Sequence, residues 1–152
     1  RRYMEESLER ELHRAARHNM ALGVIMLDLD HFKRFNDTFG HAAGDTILRE
    51  LGNLLQSQLR GEDIACRYGG EEFALIILDA PLTVVIQRAE QLRAAVRQLT
   101  VTYREQSLGT VTLSLGVAVY PDHGVNTEEL LRAADAALYK AKAAGRNRVA
   151  TA

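Results

Sequence analysis

The chain has 152 residues, 47% of them hydrophobic and 26% charged, with a formal net charge of −1. That is the size and balance of one globular domain with a full core. It excludes a disordered tail and, for want of surplus Lys and Arg, a sequence-independent nucleic-acid binder. Cys66 is the single cysteine, which excludes a disulfide framework and a Cys-rich zinc site, points to a reducing, cytoplasmic setting, and reads as a small buried hydrophobe. No apolar run approaches the ~18 residues of a membrane span, so no membrane contact is expected of this domain. Arg1-Arg2-Tyr3 begins inside a helical pattern, so the chain reads as a piece of a longer protein.

Met4, Leu8, Leu12 and Ala15 recur three and four apart, predicting an amphipathic helix over about residues 2–18. Leu22 to Leu27 is a continuous apolar run ending at Asp28, the pattern of a strand buried on both faces. Phe32, Phe35 and Phe39 stand at helical spacing, and Ile47, Leu48, Leu51, Leu54, Leu55 and Leu59 trace a longer helical face. Ile64 to Tyr68 and Phe73 to Leu78 read as strands flanking Gly69-Gly70, a pair suited to the positive φ angles of a tight hairpin. Val85, Ala89, Leu92, Val96 and Leu99 make the next helical face, with Thr83 as its N-cap after Pro81. Bulky Val111, Leu113, Leu115, Val117 and Val119 alternate with slim Thr110, Thr112, Ser114, Gly116 and Ala118, giving a long strand that Val101 to Arg104 is expected to pair with. The last helix opens with Asn126 as N-cap and Glu129 three residues on, and stops at Gly145. The order contains a βαββαβ kernel, which predicts an α+β sandwich of ferredoxin-like type, its mostly antiparallel sheet covered by helices.

Asp28 and Asp30 lie where the most apolar strand runs out, a place to hold a hard cation, although Asp30 could equally cap the Phe32 helix. Glu71 and Glu72 follow the Gly-Gly turn, where adjacent carboxylates repel unless they face water or a cation. In the kernel topology this hairpin tip comes to the same sheet edge as Asp28. Two such acidic pairs can hold one or two Mg²⁺ ions of a nucleoside triphosphate site. Lys140, Lys142, Arg146 and Arg148, with no acidic residue among them, suit a triphosphate as well as a helix C-terminus, and Lys33 and Arg34 could neutralise a reacting phosphate. No P-loop and no GxGxxG motif occurs, so phosphates must be held by metal and side chains. Asn36, Asp37, His41 and Asp45 could read a guanine edge, against the plainer roles of a helix cap for Asp45, a turn residue for Asp37 and a loop histidine for His41.

The run Arg67-Tyr68-Gly69-Gly70-Glu71-Glu72-Phe73 resembles the signature of the GGDEF-domain diguanylate cyclases, here in a GGEEF form. Asp28-Leu29-Asp30-His31-Phe32-Lys33, Asn36 to His41, Gly44-Asp45, Ser114 to Ala118 and Ala133 to Asn147 resemble the family's other blocks in order and spacing. The resemblance implies a nucleotidyl-cyclase, palm-like fold and the Mg²⁺-dependent condensation of two GTP into cyclic di-GMP with release of two pyrophosphates, Mn²⁺ being a possible substitute. It implies that Asp28, the Leu29 carbonyl, Glu71 and Glu72 hold the metal and that Glu71 helps deprotonate the attacking 3′-hydroxyl. Lys33 would stabilise charge on the transferring phosphate, Asn36 and Asp45 would read guanine, His41 would line the pocket, and Lys142 and Arg146 would clamp the terminal phosphates.

Arg60-Gly61-Glu62-Asp63 is an RxxD placed ahead of the Gly69 turn, like the family's inhibitory site for its product, with Arg88 and Arg93 both open as a further inhibitory arginine. Read from the residues alone it is a surface ion pair worth little to stability. The family usually carries a D-x-L-T-x-L-x-N-R segment, of which only Arg1-Arg2 stand here, so an upstream sensory or dimerising segment is expected outside this sequence. Since one site holds one GTP, a two-fold homodimer is expected for turnover. The competing readings are a receptor module for GTP or cyclic di-GMP, and a cyclase acting on ATP.

Overall fold

A computed structural model describes residues 1–152, and the order of elements follows the sequence closely. They are α1 (Arg2–His18), β1 (Leu22–Leu29), α2 (Phe32–Phe39), α3 (His41–Gln58), β2 (Ile64–Arg67), β3 (Glu72–Leu78), α4 (Leu82–Arg97), β4 (Thr102–Tyr103), β5 (Gln106–Ser107), β6 (Leu113–Tyr120), α5 (Thr127–Ala143) and β7 (Arg148–Thr151). Five strands form one sheet in the order β2-β3-β1-β6-β7, antiparallel except for the parallel pair β6–β7. The βαββαβ kernel is thus present in its ferredoxin-like strand order, and no helix is long and apolar enough to cross a membrane.

Side-chain alternation along the strands divides the interior in two. Ile25, Leu27 and Leu29 of β1, Phe73, Leu75 and Ile77 of β3 and the bulky residues Leu113 to Val119 of β6 face α3 and α4. Leu22, Val24 and Met26, with Ala74, Ile76 and Ala118, face α1 and α5. The slim face of β6 has a reason: a Cβ on Gly116 would stand 2.8 Å from the Leu138 Cα and nearer still to the α5 backbone, so only glycine lets α5 lie this close to the sheet. Asn126 caps α5 as the sequence predicts, its Oδ1 accepting from the Glu129 N–H at 2.8 Å while Glu129 accepts from the Val125 N–H at 3.0 Å.

Several local expectations need correction. Thr83 is not the cap of α4; that helix starts at Leu82, and Pro81, which has no N–H to leave unpaired, precedes it in extended conformation. Val101 to Arg104 does not pair with β6, because a turn at Arg104-Glu105, both with positive φ, folds β4 onto β5 as a separate ribbon. Gly69 and Gly70 do not take positive φ; the turn is instead tied by the Arg67 guanidinium, which donates to the Gly69 and Gly70 carbonyls. Asp37 lies inside α2 rather than in a turn, and Asp45 lies within α3, too far along to cap it. The edge strand β7 was not anticipated at all.

Candidate active site

The acidic site follows from strand register. Asp28 continues the parity of Leu22, Val24 and Met26, and so points to the α1/α5 side of the sheet; Glu72 shares the parity of Ala74 and Ile76 and points the same way. Asp28 lies opposite Glu72 on β3 and opposite Ser114 on β6. Glu71, half-buried, immediately precedes β3, and Leu29 closes β1. From the last turn of α5, Lys142 reaches down and places its Nζ on the Asp28 Oδ2. The other carboxylate oxygen, Oδ1, is buried with no hydrogen-bond partner. Burial pushes the Asp28 carboxyl up to about 6, with the negative charges of Glu71 and Glu72 adding to the rise and Lys142 opposing it.

No group of three or more His, Cys, Asp or Glu side chains stands close enough to hold a metal ion by itself. The donor chemistry still suits a hard dication: oxygen ligands only, an orphaned buried carboxylate oxygen, and two further carboxylates near enough to perturb Asp28. An ion that keeps waters and takes its remaining ligands from phosphates needs no closed protein cage.

Asp30 turns out to be neither a cap nor free for a cation. His31 (φ 57°) occupies the cap position of α2, and the Asp30 carboxylate accepts from the Thr112 and Ser114 hydroxyls, both at 2.6 Å, and from the Asn147 N–H at 3.0 Å. It therefore ties the end of β1 to β6 and to the α5–β7 turn, where Gly145, Arg146 and Asn147 all have positive φ. Arg93 braces the same turn by donating to the Asn147 Oδ1 at 3.1 Å. That turn presents Arg146, which is exposed, four residues beyond Lys142 and past the end of α5.

Helices α2 and α3 carry the remaining polar residues. Lys33 is exposed and makes no ion pair; His41 and Asp45 are exposed near the start of α3. Asn36 is half-buried and its Oδ1 is a second orphaned atom. It packs where a Cβ on Gly44 would stand 2.9 Å from its Cγ, so Gly44 is the vacancy that admits the amide. Phe32 stacks on Phe35 at 6.4 Å, and Phe35 meets Phe39 at 5.0 Å with the rings tilted, which lines one face of α2 with aromatic contacts.

The RxxD pair is more deeply built than its sequence suggests. The Asp63 side chain has no exposed surface and accepts from the Leu78 N–H at 3.1 Å, the Arg60 N–H at 3.2 Å and the Arg88 guanidinium at 3.1 Å, with the Arg60 Nε at 3.4 Å. Burial alone would raise its pKa; these donors outweigh that and hold it below the usual carboxylate value. Of the two arginines left open by the sequence, Arg88 meets Asp63, whereas Arg93 is engaged by Glu90 and Asn147. A groove of about 700 Å³ between α1 and the start of α5 lies away from these residues and contains none of them.

Comparison with known proteins bears on the family and the fold. The family model described as diguanylate cyclase, GGDEF domain, matches residues 1–148. Diguanylate cyclase VdcA of Vibrio cholerae is 48% identical over 130 residues, which are 84% of this chain and 38% of that protein. The chain spans about a third of the length of the curated relatives it matches. Among solved structures, the GGDEF domain of DgcB from Caulobacter crescentus in complex with c-di-GMP superposes with a TM-score of 0.93 at 35% identity, covering 99% of this chain and 89% of that one. The active GGEEF domain of a diguanylate cyclase from Vibrio cholerae gives 0.91 at 32% identity, covering 99% and 95%.

Proposed function

We propose that this chain, which belongs to the diguanylate cyclase GGDEF domain family, condenses two GTP into cyclic di-GMP as the catalytic module of a longer, sensor-controlled protein. The observation that carries the reading is the register that sets Asp28 opposite Glu72 on β1 and β3, with the ammonium of Lys142 on Asp28. Opposite charges of this kind at one sheet edge suit a metal-bound triphosphate, and the near-neutral net charge is their sum rather than their absence.

In each half-reaction the 3′-hydroxyl oxygen of one GTP bonds to the α-phosphorus of the other. The bond from that phosphorus to its bridging oxygen breaks, and pyrophosphate leaves with the electron pair. Glu71 takes the hydroxyl proton, and Lys33 faces the charge that builds on the transferring phosphate. Asp28, the Leu29 carbonyl, Glu71 and Glu72 would hold Mg²⁺ or Mn²⁺, which when bound neutralises phosphate charge and acidifies the attacking hydroxyl. Asn36, with its unpartnered amide oxygen, and Asp45 read the guanine edge, His41 lines its pocket, and Lys142 and Arg146 hold the terminal phosphates. One such site carries one nucleotide, so turnover needs two chains face to face about a two-fold axis.

Arg60, Asp63 and Arg88 form the site through which product acts back. Asp63 is held as an anion among donors, and Arg60, 54% exposed, holds the Leu78 carbonyl and Asp63 with part of its guanidinium and offers the rest to a guanine or a phosphate. The test is to supply purified protein with Mg²⁺ and either GTP or ATP and to separate the products by chromatography. Cyclic di-GMP from GTP alone is the expected result. A preference for ATP would overturn the roles of Asn36 and Asp45, and binding of cyclic di-GMP without any turnover would make the chain a receptor.

A further inference from the structure

The ammonium of Lys142 is the sole partner of the Asp28 carboxylate, since Oδ1 is buried and unpartnered and the Ser114 hydroxyl opposite is given to Asp30. Asp28 is only 6% exposed, while the lysine at the end of α5 is 34% exposed. A carboxylate so buried needs a cation, and Lys142 meets that need from a helix end whose stem leaves the head free to swing outward. A dication on either oxygen of this one carboxylate, the orphaned Oδ1 included, would stand within several ångströms of the ammonium, and the two positive charges would repel.

We propose that Lys142 is a displaceable counter-ion: it neutralises Asp28 in the ligand-free protein, and a divalent cation that binds Asp28 expels it towards the phosphate chain of the nucleotide. This rests on the reading of Asp28 as a metal ligand. One side chain then makes metal and triphosphate binding cooperative, because each favours the outward position of the same ammonium. It also accounts for the lack of a ready-made metal cluster, as the place beside Asp28 is held by the lysine.

The experiment is a titration of the nucleotide-free protein with Mn²⁺, reading free Mn²⁺ by electron paramagnetic resonance and the thermal midpoint in parallel. Lys142→Met is expected to bind Mn²⁺ at least ~10-fold more tightly than wild type, and to gain more in thermal midpoint on Mn²⁺ addition. Lys142→Gln, which keeps a hydrogen-bond donor for Asp28, should behave alike if the methionine variant folds poorly. Arg146→Met removes the same charge from the same helix end without touching Asp28, and its Mn²⁺ affinity should stay that of wild type. Unchanged or weaker Mn²⁺ binding by both Lys142 variants overturns the inference, as does an equal gain in Arg146→Met. If Asp28→Asn binds Mn²⁺ as well as wild type, the metal lies elsewhere, and the reading of Asp28 fails together with the inference.

Discussion

Removing the Asp63 carboxylate should cost far more stability than removing its sequence neighbour in the motif. Asp63 has no exposed side-chain surface and answers the Leu78 N–H, the Arg60 N–H and the Arg88 guanidinium, itself only 17% exposed. Asp63→Ala takes the charged partner from Arg88, which keeps only the Gln58 carbonyl, and leaves the strand-end Leu78 N–H without a partner, a loss of about 3–5 kcal/mol. A domain of this size has roughly 5–15 kcal/mol in all, so the variant stands near the edge of folding. Arg60→Ala removes a 3.4 Å ion pair and a 2.6 Å hydrogen bond to the Leu78 carbonyl from a side chain that is 54% exposed, together worth about 1–2 kcal/mol. Urea unfolding of the two variants and wild type measures both numbers, with m unchanged if the states are the same. The sign with pH follows from the depressed pKa: the Asp63 contribution is present above the unfolded value of 3.8 and is lost as pH falls through the lower folded value. Equal small losses in the two variants would refute this reasoning and return the pair to the surface.

Burial raises Asp28 from 3.8 to about 6, so without divalent cations protonating this carboxyl favours folding, although it is ionised at neutral pH. Its contribution to stability is complete below the unfolded pKa and is lost as pH rises through 6, about 3 kcal/mol in all. The urea midpoint of wild type relative to Asp28→Asn, measured in chelator, should therefore fall between pH 4 and 7. Gly116→Ala drives a methyl into the α5 backbone and should cost about 1–3 kcal/mol, lowering the thermal midpoint by roughly 3–10 °C. Asn36→Ala should raise KM for GTP by about 10-fold or more with the fold intact, by loss of one base contact. Arg60→Ala should keep its turnover while product inhibits it much more weakly, as read from initial rates with added cyclic di-GMP.

The architecture was legible because parity and period carry it. Leu22, Val24 and Met26 announce which face Asp28 inherits, and the Gly-Gly hairpin announces that Glu71 and Glu72 return to the same sheet edge. The slim row of Ser114, Gly116 and Ala118 is visible in the sequence, and the structure gives its reason in the helix pressed against β6. What stayed hidden depends on contacts distant in sequence. Asp30 looks like a second ligand beside Asp28, yet Thr112, Ser114 and Asn147, over 80 residues away, absorb its carboxylate. Arg88 and Arg93 have the same chemistry, and only the direction of their side chains from α4 sends one to Asp63 and the other to Asn147. The strand β7 has four residues beginning with Arg148, too short and too polar to show a period, and exists because its neighbour β6 offers an edge. Gly145 and Asn147 were its one signal, marking a left-handed turn rather than a simple helix stop.

The most direct test of the account is the rate of cyclic di-GMP formation from GTP and Mg²⁺ by wild type and by Glu71→Ala, across a range of protein concentrations. Wild type should form product with a rate rising more steeply than linearly in protein, as two half-sites must meet. Glu71→Ala should form none while unfolding in urea like wild type. No product from wild type at any concentration, or from a fusion to a dimerising helix, would contradict the account. An undiminished rate in Glu71→Ala would remove that residue from the chemistry.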